Sequence, residues 1–144
     1  MFVKQILASK GSDIVTIGPS TKIADIAGLM RDKRIGAVIV LDDNAHITGI
    51  VSERDVTRGL ADHGADVLSM TADRIMTAEV VTCRPDDGVA DLMKKMTAGR
   101  FRHLPVVSEG KMMGIVSIGD IVKFRLEELE SEASQLQDYI AGAA

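Results

Sequence analysis

Gly49-Ile50-Val51-Ser52-Glu53-Arg54-Asp55 recurs downstream as Gly114-Ile115-Val116-Ser117-Ile118-Gly119-Asp120. In both copies a short apolar strand ends on a hydroxyl, and a carboxylate follows three residues later, where a helical pattern begins. A small polar side chain, unpaired backbone N–H groups and an acid at a strand-to-helix junction suit the phosphate and ribose of a nucleotide. The flanking sequence repeats as well. A shift of 66 positions (15 to 81) pairs Val15-Thr16 with Val81-Thr82, Pro19 with Pro85, Ala24-Asp25 with Ala90-Asp91, Met30 with Met96, Arg34 with Arg100 and Val40 with Val106. One deletion in the next turn restores register for the terminal motifs. The lead-in Lys4-Gln5-Ile6-Leu7 likewise matches Asp73-Arg74-Ile75-Met76. The chain is an internal duplication.

Each repeat reads β-α-β-β-α. A β segment (Ile14 to Ile17, Val80 to Cys83) runs into a proline, and Ser20-Thr21 or Asp86-Asp87 is the expected helix cap. Ile23, Ile26, Ala27 and Met30, and then Val89, Leu92, Met93 and Met96, mark one buried helix face. Two short strands follow in each repeat, Ala37 to Leu41 with Ile47 to Val51 and Leu104 to Val107 with Met112 to Val116. The turn-rich connectors Asp42-Asp43-Asn44 and Ser108-Glu109-Gly110 make each pair a hairpin. A repeat alone is too small to bury a good core. The expected class is therefore α/β (α+β), two repeats packed with pseudo-two-fold symmetry plus a C-terminal helical extension. The expected divisions are 1–65, 66–127 and a tail, 128–144. Between the repeats, the Gly64 region predicts a turn followed by partly helical chain.

Composition narrows the function classes. Of 144 residues, 46% are hydrophobic and 26% charged, as in ordinary globular proteins. Apolar runs such as Ala37 to Leu41 are too short to span a membrane. The first residues carry no basic-then-apolar signal pattern, which predicts a cytoplasmic protein. A net charge of −4 without a basic run argues against nucleic acid as a partner. Aromatic residues are too few for a stacking platform. Cys83, His46, His63 and His103 have no ligand spacing, so no metal site is expected, and Cys83 reads as a small buried hydrophobe.

With these residues in view, the chain resembles a stand-alone tandem pair of CBS domains, often called a Bateman module. The resemblance spans residues 3 to 127. It rests on the two Gly-x-x-Ser-x-x-Asp motifs, on Arg102-His103-Leu104-Pro105-Val106-Val107 and on Ile75-Met76-Thr77. It implies an adenosine nucleotide held in clefts between paired domains, AMP first, with ADP, ATP, NAD/NADH or S-adenosylmethionine as alternatives. In that reading Asp55 and Asp120 hold the ribose diol, since an ionised carboxylate offers two acceptor oxygens. Ser52 and Ser117 bond phosphate or ribose, aided by the helix N-terminus. Thr16 and Thr82 line the clefts. Backbone groups at Gly36-Ala37 and His103-Leu104-Pro105 read adenine, with Ile35, Ile50, Leu104 and Ile115 as apolar walls. Arg54 is a phosphate candidate, and Arg102 or His103 serves the other cleft. Glu53-Arg54 against Ile118-Gly119, and Gly36-Ala37 against Arg102-His103, predict two sites of unequal strength.

Plainer roles compete at each position. An Asp or Ser at a helix start caps it, Arg54 is equally a surface residue, and His103 a packed histidine. The methionines are gap fillers. Val122, Leu126, Leu129, Ala133, Leu136 and Ile140 form a heptad seam that packs either on its own domain or on another copy. The leading reading is a non-enzymatic sensor acting in trans on an unidentified protein, as a homodimer. The alternatives are a structural dimerisation module without ligand, or a detached regulatory relative of an enzyme such as IMP dehydrogenase.

Overall fold

A computed structural model describes residues 1–11 and 14–143; residue 144, the end of the expected tail, lies outside them. The chain forms two compact units, Asp13–Val81 (the middle unit) and Met1–Ser12 with Thr82–Ala144 (the terminal unit). The division is not the expected one at 65/66. Each lead-in segment packs with the repeat it does not precede in sequence.

In the middle unit, β1 (Thr16–Ile17), β2 (Ala37–Leu41) and β3 (Ile47–Ser52) form one sheet in that order. β1 runs parallel to β2, and β3 is antiparallel to it, with Ala37 opposite Ser52. Central β2 is apolar throughout because both of its edges are paired and its faces covered. Helix α2 (Ile23–Lys33) buries Ile23, Ile26 and Met30 against Val38, Val40, Val51, Val67 and Ala72. Helix α3 (Glu53–His63) leads into a 3-10 turn (Gly64–Ser69) and the short α4 (Ala72–Ile75), as the Gly64 region predicted. Asp42 closes the β2–β3 connection by accepting from the backbone N–H groups of Asn44 and His46, both at 2.9 Å.

The terminal unit has α1 (Val3–Lys10), α5 (Val89–Gly99), the hairpin β4 (His103–Ser108) and β5 (Lys111–Ser117), and α6 (Ile118–Ala143). Val3, Ile6, Val89, Leu92, Met96, Leu104, Val106, Val116 and Ile121 share its core. The expected strand Val80 to Cys83 is reduced to one parallel bridge between Cys83 and Val106. Pro105 is the physical reason. In the middle unit the Ile39 N–H donates to the Val15 carbonyl at 3.2 Å. The duplicated positions are Pro105 and Val81, and proline has no N–H to give. The ladder therefore keeps only the bonds on either side of Cys83, to Pro105 O (2.9 Å) and from Val107 N (2.8 Å).

The helix caps also differ from expectation. Lys22 and Gly88, not Ser20-Thr21 or Asp86-Asp87, stand at the N-caps of α2 and α5, without a side-chain cap. Backbone from the lead-ins satisfies these ends instead. Ile23 N donates to Met70 O (2.9 Å) and Val89 N to Met1 O (3.1 Å). Ala72 N and Asp73 N return bonds to Thr21 and Pro19, as Val3 N and Lys4 N do to Asp87 and Pro85. The two lead-ins thus do the same work by the same bonds, each within one unit.

Candidate functional site

In each unit one end of the sheet carries the Ser-x-x-Asp turn. At the middle turn, Ser52 Oγ accepts from Asp55 N (3.3 Å), while Asp55 Oδ2 accepts from Ser52 N (2.9 Å) and Ser52 Oγ (3.0 Å). This reciprocal pairing is a capping box that satisfies donors at the start of α3. Thr77, in the chain just after α4, donates its hydroxyl to Asp55 Oδ1 at 3.0 Å, and Arg58 Nη1 lies 3.6 Å from the same oxygen. Asp55 is only 5% exposed. Both of its oxygens are engaged within the unit, so a ribose diol must share Oδ1 with Thr77 or displace it.

The terminal turn repeats the box and changes the partner. Ser117 N donates to Asp120 Oδ2 (2.9 Å), and Ser117 Oγ accepts from Asp120 N (3.1 Å). Lys10, the last residue of α1, donates to Asp120 Oδ2 at 2.6 Å and to Ile115 O at 2.8 Å. Burial pushes the Asp120 carboxyl up. The Lys10 ammonium and the Ser117 N–H outweigh it and hold the group below the ordinary carboxylate value. Asp120 remains 24% exposed in its side chain. Those bonds all fall on Oδ2, so Oδ1 is outside them.

The remaining candidates fall into the same two groups. Ala37 faces Ser52 across the β2–β3 ladder, and His103 faces Ser117 across β4–β5. An imidazole in the terminal unit thus replaces a methyl in the middle one. Gly36 O accepts from Glu53 N (3.0 Å), and Arg102 O from Ile118 N (2.8 Å), which ties each strand start to its turn. Arg54 and Arg102 are exposed, and Ile35 and Gly36 half-buried. Thr16 lies on β1, level with Ile39, two residues along the strand from Ala37. Thr82 precedes Cys83 and opens onto a groove of about 790 Å³ shared with Arg84, Asp87, Lys95, Ser108 and Gly110. That groove reaches the β4–β5 turn, away from Ser117.

Two expected contact residues are buried in this structure. The Leu104 side chain is wholly buried in the terminal core, so it is no wall for a base. Pro105 is buried too, and its carbonyl already accepts from Cys83. Lys10, Thr77 and Arg58 escaped the sequence reading. Arg58 had a findable signal, its i,i+3 spacing from Asp55. Thr77 sat inside a recognised segment, whereas nothing local pointed to Lys10. Among the described residues no cluster of His, Cys, Asp and Glu is arranged to hold a metal, and no helix is long and apolar enough to cross a membrane.

The duplicated turns and mixed α/β units define a class, and the sequence comparisons agree with it. The CBS domain family profile matches residues 3–62 and 72–127, and this chain belongs to that family. An uncharacterized 17.7 kDa protein of Acidianus ambivalens is 32% identical over 127 residues, covering 84% of this chain and 76% of that protein. The mitochondrial CBS domain-containing protein CBSX3 of Arabidopsis thaliana is 34% identical, with 83% of this chain matched to 60% of its length. Among solved structures, the CBS-domain containing protein ATU1752 from Agrobacterium tumefaciens superposes with a TM-score of 0.84 at 44% identity, covering 86% of this chain and 92% of that one. The CBS domain pair of protein MJ0100, solved with 5′-methylthioadenosine and S-adenosylmethionine, has a TM-score of 0.77 at 25% identity, covering 89% and 98%.

Proposed function

We propose that this chain is a non-enzymatic regulatory module that binds an adenosine ligand, AMP first, and acts in trans on another protein as a homodimer. The observation that carries the reading is the terminal turn. Asp120 is ionised, half-buried and outside the core, bonded to Ser117 and Lys10, with His103 opposite Ser117 across the β4–β5 ladder. A carboxylate with an oxygen outside its own cap suits a ribose hydroxyl, and an adjacent ammonium suits a phosphate. The adenosine compounds bound by MJ0100 support the same ligand class. Lys10, and the exposed Arg102 whose carbonyl is bonded to Ile118 N of the turn, favour a phosphate over the cationic sulfonium of S-adenosylmethionine. The middle site is the weaker of the two, because Asp55 is buried and a ligand must compete with Thr77 for Oδ1.

The engagement of Asp55 also favours a second reading, in which the motifs are only caps and the module is a ligand-free dimerisation domain. Comparing AMP with 2′-deoxy-AMP in a calorimetric titration separates the two. The nucleotide reading expects AMP to bind, with the deoxy form at least about tenfold weaker, one charge-assisted hydrogen bond being worth roughly 1.5–3 kcal/mol. Equal affinities would remove the diol contact, and absence of binding by either leaves the cap reading.

A further inference from the structure

We propose that α6 is a self-association helix, which pairs with α6 of a second copy of this chain as a parallel, in-register two-stranded coiled coil. The helix begins in the terminal core, where Ile121 is buried and Phe124 half-buried. Beyond Phe124, every residue through Gly142 except Glu128 is exposed. On that stretch lie Leu126 (55% exposed), Leu129 (44%), Leu136 (60%) and Ile140 (62%), and Val122 (47%) continues the stripe backwards. With Ala133 they follow the 4-3-4-3-4 spacing of a heptad seam. A helical stretch of this length without packing is marginal in water, and its large aliphatic residues lie on one stripe instead of scattering, with Tyr139 (75% exposed) beside it.

Charge identifies the occupant and its direction. With Leu126 and Ala133 at a positions and Leu129 and Leu136 at d, Arg125 is a g residue and Glu130 the following e residue. In a parallel in-register pair, g of one helix meets the next e of the other. Arg125 then faces Glu130 of the second copy twice, once on each side of the seam. An antiparallel pair that fills the same layers sets Val122 against Ile140, Leu126 against Leu136 and Leu129 against Ala133. That arrangement puts Glu130 beside Glu130 and Glu132 beside Glu132, which repel. Among the described residues Arg125 pairs with Glu128 of its own helix at 3.2 Å, an i,i+3 contact of little worth at the surface. The acidic residues Glu127, Glu128 and Asp138 fall at outer positions, where they keep the pair soluble.

The chain offers a clean test. Cys83 is buried, and burial pushes its thiol up to about 11, so it stays a neutral thiol at pH 8. An introduced cysteine is then the only reactive thiol. Leu126→Cys should form a disulfide-linked dimer under mild oxidation, because in register the two a positions face each other. In the antiparallel pairing the same residues stand about 15 Å apart along the axis, beyond the roughly 7 Å Cα limit for a disulfide. Ser131→Cys, at an outer f position, should not cross-link. Sedimentation of the reduced protein adds a charge test. Arg125→Glu should weaken the dimer about tenfold or more, and Arg125→Glu with Glu130→Arg should restore it. A monomer at all concentrations would overturn the proposal. So would a dimer that neither cross-links at 126 nor responds to Arg125→Glu. No nucleotide enters these measurements, so they succeed or fail independently of the ligand reading.

Discussion

Lys10 and Thr77 give the two duplicated aspartates different neighbours, and this asymmetry sets the chemistry of the sites. Asp55 receives a neutral hydroxyl, Asp120 an ammonium. Removing the ammonium with Lys10→Met should weaken AMP more than adenosine, because the uncompensated carboxylate repels phosphate. Equal losses for both ligands would make Lys10 merely structural. Acid also reads this contact. The Asp120 carboxyl lies below its ordinary value in the folded protein, so its stabilisation is complete above the unfolded value of about 3.9 and fades as pH falls through the folded one. Urea melts should therefore show wild type more stable than Lys10→Met at pH 7, with the gap narrowing at pH 3. A constant gap would contradict the ion pair. The serines and aspartates were legible in sequence because each pair is local. Lys10 was not, since 110 positions separate it from Asp120.

Elements show where duplication of sequence stops being duplication of structure. The hairpins, the turns and most of each helix face came through, because apolar spacing and turn residues are local signals; Met93, expected on the buried face of α5, is instead 40% exposed. The strand at Val80 to Cys83 did not, since one proline on its neighbour removes the amide that would have held Val81. The glycines of the two motifs are explained by the lead-ins. A Cβ at Gly49 would collide with Cβ, Cγ and Sδ of Met76, whereas one at Gly114 would meet the Leu7 Cδ2 methyl at 2.7 Å. The Leu7 methyl is the tip of a side chain that can turn away; Met76 would have to move from its base. Gly49→Ala should cost about 1–3 kcal/mol in a chemical melt, and Gly114→Ala less. The reverse order would mean that the lead-in contacts are not what the glycines serve.

On the scale of the whole molecule, the duplication implied two equal halves cut at the linker. Backbone bonds decide otherwise, because helix N-termini without side-chain caps need carbonyl partners, and each lead-in supplies them within one unit. A sequence scan cannot see that exchange. The terminal unit unites a candidate ligand turn at the start of α6 with the apolar seam farther along the same helix. If one rigid helix serves both, AMP should shift the sedimentation monomer–dimer equilibrium, and an unchanged constant under saturating AMP would separate the two roles. Calorimetric titration of the wild-type chain and Asp120→Ala with AMP probes the terminal turn as a nucleotide site. The wild type should bind AMP, and the variant should lose the stronger site, by about tenfold or more in affinity. An Asp120→Ala protein that remains folded and binds AMP as tightly as wild type would contradict it.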